Sequence, residues 1–246
     1  MSLPVHLVPS LDGVAVGSEV VVEGDEAHHA VAVRRLRVGE RIVLTDGRGV
    51  AVEAEVASTG KRVFAATVRS VSVLDAPEPR VLVVQALPKG ERGELAVEVL
   101  TEVGVARIVP WAASRSVAVW KGERAAKSLS RWRATAREAA KQARRPWFPE
   151  VDELATTAQV VDLVSSADLA VVLHEEASAP LASVGVPSEG LVVVVVGPEG
   201  GLADGEVAAF AAAGGHAVRL GSEVLRTSTA GVAAVSALLS RTARWG

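Results

Sequence analysis

The sequence predicts an α/β protein in two parts, a small N-terminal β-barrel and a larger domain with a mostly parallel sheet. Three observations predict it. Residues 1–74 carry short Val, Ile and Leu runs broken by Gly and Asp, the pattern of closely spaced strands. From Arg80 onward, continuous apolar runs alternate with helical periodicity, as expected for strands buried on both faces between crossover helices. Between them stands Asp75-Ala76-Pro77-Glu78-Pro79, whose two prolines continue neither a helix nor a central strand. The domains are therefore expected at 1–74 and 75–246.

In the first part, residues 20–22, 41–44, 51–56 and 63–73 read as strands, with Asp46-Gly47 as a tight turn. Residues 26–36 interrupt them as a helix. In the second part, residues 81–87 form an apolar strand. Residues 94–103 form a helix with Leu95, Val99 and Val103 on one face, closed by Gly104. Residues 107–110 are a short strand, and 124–145 a long helix ended by Pro146. Strands follow at 169–173 and 191–196. Residues 204–213 are a helix with Asp204 as N-cap and Gly214-Gly215 after it. A strand at 217–220 precedes a last helix from about Ser228 to Thr242, capped by Ser228 or Thr229.

The 246 residues hold 26 Lys and Arg against 29 Asp and Glu, a net charge of −3, and 49% hydrophobic residues, which excludes disorder as the main state. A membrane span needs about 20 consecutive apolar residues. The longest strongly apolar run, 191–196, stops at Gly197-Pro198. No cysteine is present, which removes disulfides, thiolate chemistry, Cys-based zinc sites and iron–sulfur clusters. The N-terminus MSLPVHLVPS has no basic start followed by an apolar stretch, so a cytoplasmic protein is expected. With aromatics at 3% and no Tyr, stacked aromatic platforms are poorly supplied. Any nucleic-acid binding must come from local clustering of Arg.

In open α/β sheets, ligands bind beyond the carboxyl ends of the strands. Three such ends carry unusual sequence. The first is Leu173-His174-Glu175-Glu176. The second is Gly197-Pro198-Glu199-Gly200-Gly201, where three glycines allow sharp turning and close approach of a ligand. The third runs from Leu220-Gly221 through Leu225-Arg226 to Thr229 and Ala230, placing Arg226 at a helix start. Its bland role is an ion pair with Glu199 or Glu223. Its functional role is a cation aimed at developing negative charge. Neither GxGxxG nor GxxxxGK[ST] is present. His174 reads as a turn residue, and His28-His29 diverge on a helix, so no metal is expected.

Arg34, Arg35, Arg37 and Arg41 cluster within the first part. The stretch 131–145 holds six cations, Arg131, Arg133, Arg137, Lys141, Arg144 and Arg145, against Glu138. Arg133, Arg137 and Lys141 fall on one helix face, where like charges repel. A polyanionic partner would explain that arrangement.

Several stretches together resemble the RsmE-type family, the 16S rRNA uridine-N3 methyltransferases of the SPOUT superfamily. They are HAVAVRRLRVG at 29–39 with Asp46-Gly47, QALPK at 85–89, and Glu102-Val103-Gly104-Val105. Arg131-Trp132 with Glu138-Ala139-Ala140 and Gln142, GPEGG at 197–201 and LGSEVLRTSTA at 220–230 complete the set. The resemblance implies a PUA-like RNA-binding barrel and a methyltransferase domain tied in a trefoil knot, acting as a homodimer on small-subunit rRNA. It implies S-adenosylmethionine held by Leu173, His174, Glu175, Gly197, Gly200, Gly201, Leu220, Gly221, Leu225, Arg226 and Thr229. The rRNA would meet Arg35, Arg37, Lys89, Arg115, Arg133, Arg137, Lys141 and Arg144. Many members carry Glu where this chain has Ser228, and a basic residue where it has Glu223. The expected catalytic residues are Arg226, stabilising an imide anion, and Glu199, a candidate proton acceptor on chemistry alone. Two other readings remain: a SPOUT enzyme acting on tRNA or a ribose 2′-hydroxyl, and a non-catalytic RNA-binding assembly factor. Saturable binding of S-adenosylmethionine separates the enzymes from the assembly factor.

Overall fold

The computed structural model describes residues 3–246. The chain divides into two compact units, one containing residues up to Ala76 together with Lys141–Phe148, the other Pro77–Ala140 and Pro149–Gly246.

The first unit contains β1 (Val5–Leu7), β2 (Glu19–Glu23), α1 (Gly24–His28), β3 (Arg41–Thr45), β4 (Val50–Thr59) and β5 (Val63–Val73). They form one sheet in the order β1-β3-β4-β5-β2. Every pairing is antiparallel except β1 with β3. Register shifts between Glu53 and Ala54 and between Val56 and Ser58 bend β4 over β5, as bulges do. Among the described residues no pairing joins β1 to β2, so the expected barrel is an open, bent sheet. One apolar core forms against it: Ile42, Leu44, Ala54, Phe64 and Ala66 are buried with Ala27 and Ala30.

The expected helix at 26–36 is shorter and mixed. A π-turn at His29–Val33 follows α1, with the Arg34 amide reaching back five residues to the His29 carbonyl at 3.0 Å. Arg35, at φ 58°, then turns the chain out of helical conformation. The segment 141–148 joins this unit through backbone and side-chain hydrogen bonds. Gly49 donates to the Pro146 carbonyl at 2.9 Å, and Trp147 Nε1 donates to the Leu74 carbonyl at 2.8 Å. Gly49 adopts φ 99°, and a Cβ there would stand 2.5 Å from the Leu74 oxygen, so only glycine fits.

The second unit contains β6 (Arg80–Ala86), α2 (Arg92–Glu102), β7 (Arg107–Trp111) and α3 (Glu123–Gln142), whose last two residues belong with the first unit. It continues with β8 (Glu150–Val151), α4 (Thr157–Ser165), β9 (Leu169–Leu173), β10 (Leu191–Val196), α5 (Asp204–Ala212), β11 (His216–Val218) and α6 (Thr227–Leu239). The strands lie in the order β11-β9-β10-β6-β7-β8, all parallel. Alternate residues face opposite layers. Val192, Val194 and Val196 pack with Leu100 of α2, Trp132 of α3 and Leu238 of α6. Val193 and Val195 pack with Val160 of α4 and Phe210 of α5. Each such fully buried side chain contributes about 2 kcal/mol of hydrophobic stabilisation. At the sheet edge, Arg107 makes two hydrogen bonds to Asp152, of 2.9 and 2.6 Å. Those bonds raise its guanidinium above its ordinary range, against the effect of burial.

Helix α4 was not expected, although Thr156 and Gln159 form a capping box at its start. α3 ends at Gln142, short of 145, because Arg144 adopts φ 53°. α5 is preceded by Ala203, not capped by Asp204; Glu206 bonds the free Ala203 amide instead. Among the described residues no helix is long and apolar enough to cross a membrane.

Candidate active site

The carboxyl ends of β9, β10 and β11 lie side by side because β9 pairs with both of its neighbours. The turns that follow them enclose one cavity of about 600 Å³, lined by residues 173–176, 196–202 and 218–227, with Arg92, Arg115, Asp204 and Ala230. It lies beyond the carboxyl ends of parallel strands, where ligands bind in such sheets.

The glycine turn is shaped by its own sequence. Gly201 adopts φ 71° and donates to the Pro198 carbonyl at 2.9 Å. A Cβ on Gly197 would meet Leu202 Cδ2 at 3.0 Å, and one on Gly200 would meet the Arg115 carbonyl oxygen at 3.1 Å. Glu199 is exposed and accepts the Lys89 amide at 3.0 Å. The third turn leads into α6, where Arg226 is the N-cap. Its carbonyl accepts from the amides of Thr229 and Ala230, at 2.8 and 2.9 Å. Neither Ser228 nor Thr229 caps the helix: Ser228 is buried in its first turn, and the Thr229 hydroxyl donates to the Arg226 carbonyl at 3.2 Å.

The expected ion pair of Arg226 with Glu199 or Glu223 does not form. Glu199 takes the Lys89 amide, and Glu223 accepts from the Ser222 hydroxyl at 3.0 Å. Among the described residues, no carboxylate or carbonyl holds the exposed Arg226 guanidinium, which borders the cavity. His174 behaves as a turn residue, its Nδ1 accepting the Glu176 amide at 3.2 Å.

The cavity thus gathers Leu173, His174, Glu175, Gly197, Glu199, Gly200, Gly201, Leu220, Gly221, Leu225 and Arg226. Thr229 lies one turn beyond Arg226, and the Lys89 amide bonds the lining residue Glu199. Arg115, read from the sequence with the rRNA contacts, lines the cavity and donates to the Leu202 carbonyl at 3.0 Å. Arg92, in the first turn of α2, lines it as well and was missed. The signal was available, because Arg92 follows the carboxyl end of an apolar strand.

The cationic stripe on α3 is answered from within the chain, which removes the need for a polyanion to explain it. Arg133 bonds the Val151 carbonyl and Glu153, both at 3.0 Å, and Arg137 pairs with Glu138 at 3.5 Å. Lys141 lies 3.0 Å from Glu26 within the first unit. Arg35 and Arg37 are exposed around the turn after the π-helix.

Comparison with known proteins defines the class. The model of an RNA methyltransferase domain matches residues 76–239, and that of an RNA methyltransferase PUA domain matches residues 22–68. Two solved structures share the whole architecture. One is a ribosomal RNA small subunit methyltransferase E from Neisseria gonorrhoeae bound to S-adenosyl methionine (TM-score 0.88, 29% identity, 97% of this chain and 98% of that one). The other is a putative methyltransferase from Legionella pneumophila in complex with the same cofactor (TM-score 0.89, 26% identity, 98% and 99%). Relatives named ribosomal RNA small subunit methyltransferase E are 45% identical in Mycobacterium bovis (93% of this chain, 89% of the relative) and 31% identical in Bacillus subtilis (90% of each). This chain belongs to the ribosomal RNA small subunit methyltransferase E family.

Proposed function

We propose that the chain transfers the methyl group of S-adenosylmethionine to N3 of a uridine in the 16S rRNA of the small ribosomal subunit. The observation that carries this reading is the convergence of three strand-end turns on one cavity, with Arg226 at its rim and, among the described residues, without an ion pair. The cavity fits the cofactor. Its volume of about 600 Å³ falls in the ordinary range for small-molecule sites, roughly 300–1,000 Å³. A Cβ on Gly201 would meet nothing closer than 4.0 Å, so this backbone faces open space.

When bound, S-adenosylmethionine supplies an electrophilic methyl group on a positively charged sulfur. The turns at 173–175 and 220–225 would offer backbone groups to its adenine, and Gly197, Gly200 and Gly201 would leave room beside them. Uridine N3 must lose its proton before its lone pair can attack, and the Arg226 guanidinium offsets the negative charge that develops on the imide. Glu199, oriented by the Lys89 amide, accepts the proton. Holding both reactants in one pocket supplies much of the remaining acceleration.

For the rRNA backbone we assign Arg35, Arg37, Lys89, Arg137 and Arg144, whose phosphate contacts fix register without reading sequence. A trefoil knot is supported by the stitching of the long turn after β9 to the chain leaving β11. Leu181 donates to the Arg219 carbonyl at 2.9 Å, Arg219 donates to that of Ala179 at 3.0 Å, and Arg241, beyond α6, reaches the Leu181 and Val184 carbonyls. The family resemblance supports a homodimer working in the cytoplasm, where ribosomal subunits are found.

The test uses radiolabelled S-adenosylmethionine with small subunits lacking the modification, followed by digestion to nucleosides. Label in N3-methyluridine is expected. Label in a 2′-O-methylated nucleoside, or in tRNA alone, would contradict the reading.

A further inference from the structure

A buried carboxylate persists only where donors satisfy it, and Glu206 is 5% exposed. Its Oε1 accepts the Ser114 amide at 2.8 Å and lies 3.5 Å from the Thr157 hydroxyl. Its Oε2 accepts the Ala203 amide at 2.9 Å. The neighbouring Arg115 returns the contact, its Nη1 donating to the carbonyls of Leu202 at 3.0 Å and Gly200 at 3.5 Å. The segment after β7 and the glycine turn are therefore fastened by bonds running in both directions. Gly200 is pressed against Arg115 closely enough that a Cβ would meet its backbone oxygen at 3.1 Å.

A turn with three glycines in five residues loses much conformational freedom when it is fixed, so contacts from outside help it to present one shape. Charge-assisted hydrogen bonds to backbone amides are the strong way to do so. We propose that Glu206 and Arg115 form a clasp that holds the glycine turn in its cofactor-binding shape. Arg115 is then a positioning residue for the cofactor, not a phosphate contact. The proposal rests on the cofactor reading above.

Calorimetry with S-adenosylmethionine on the full-length protein tests it, together with thermal melting and the salt dependence of rRNA binding. Arg115→Met keeps the aliphatic stem and removes the donor at an exposed position. It is expected to weaken cofactor binding about tenfold, with melting temperature and salt slope unchanged, and to raise the cofactor KM by more than kcat falls. Glu206→Gln replaces one accepting oxygen by a donor and is expected to shift cofactor affinity in the same direction. Unchanged cofactor affinity in Arg115→Met overturns the clasp, as does a salt slope reduced by about 0.7, the mark of one lost phosphate contact on a single strand. A wild-type protein that takes up no cofactor overturns the reading of the site and the clasp with it. Wild-type binding beside unaltered Arg115→Met binding overturns the clasp alone.

Discussion

Lys141 Nζ stands 3.2 Å from Glu26 Oε1 and 3.0 Å from Oε2, and His6 Nδ1 lies 3.1 Å from Oε1. The three side chains are 10%, 18% and 5% exposed, so this cluster is largely shielded from solvent and salt. Burial by itself would raise the Glu26 carboxyl. The hydrogen bonds to His6 and Lys141, and the charge of Lys141, outweigh it and hold Glu26 below the ordinary 4.5.

A depressed carboxyl contributes stability above its unfolded value, and that contribution disappears as pH falls through the folded value. Lys141→Met takes the ammonium partner from a shielded carboxylate, which costs about 3 kcal/mol at neutral pH. The deficit is expected to shrink as pH falls through the range where the Glu26 carboxyl protonates, which in the wild type lies below its ordinary value. Chemical denaturation of the two proteins across pH 3–7 measures it; a deficit independent of pH would contradict the account. The same variant should leave the salt slope of rRNA binding unaltered, because Lys141 faces Glu26.

Among the described residues, Arg226 has no ion pair that would have to break on binding. Arg226→Ala is expected to lower kcat by about 10²-fold, the scale of removing one transition-state donor. Cofactor affinity should change less than tenfold. Single-turnover methylation beside calorimetry separates the two effects. Full activity in the variant would remove Arg226 from the mechanism.

Arg35 holds φ 58°, a conformation that costs a residue with a side chain about 1 kcal/mol. Arg35→Gly is therefore expected to leave the melting temperature unchanged or raised, while weakening rRNA binding and reducing its salt dependence. Loss of stability together with loss of binding would mean that the arginine is structural.

Gly200→Ala places a methyl 3.1 Å from the Arg115 oxygen and 3.2 Å from its Cβ. The backbone must give by a few tenths of an ångström, at a cost of about 1 kcal/mol. Because the displaced atoms border the cavity, cofactor affinity should fall further than stability does. Melting curves with and without the cofactor measure both, and a variant that binds as well as wild type contradicts this placement of the turn.

How much the sequence revealed follows from where each signal originates. β9 and β10 match their expected bounds residue for residue, because strands covered on both faces are written as unbroken apolar runs. β1 and β8 span three and two residues and are defined by their neighbours, so they carry no period of their own. The helix expected at 26–36 failed at its second half, where a π-turn and the left-handed Arg35 depend on the packing of Ala30 and Leu36 beneath them. The three turns were legible as strand ends. Their fastening was not, because Arg115 and Leu202 meet across 87 residues of sequence. For the same reason, the stripe of Arg133, Arg137 and Lys141 read as a surface awaiting a partner, when Glu153 and Glu26 answer two of the three from distant parts of the chain.

The most direct measurement is a crystal structure of the protein grown with S-adenosylmethionine. The account predicts density for the cofactor within the cavity bounded by residues 173–176, 197–202 and 218–227, with the methyl-bearing sulfur turned toward Arg226. Density elsewhere on the molecule, with that cavity left to solvent, would contradict it.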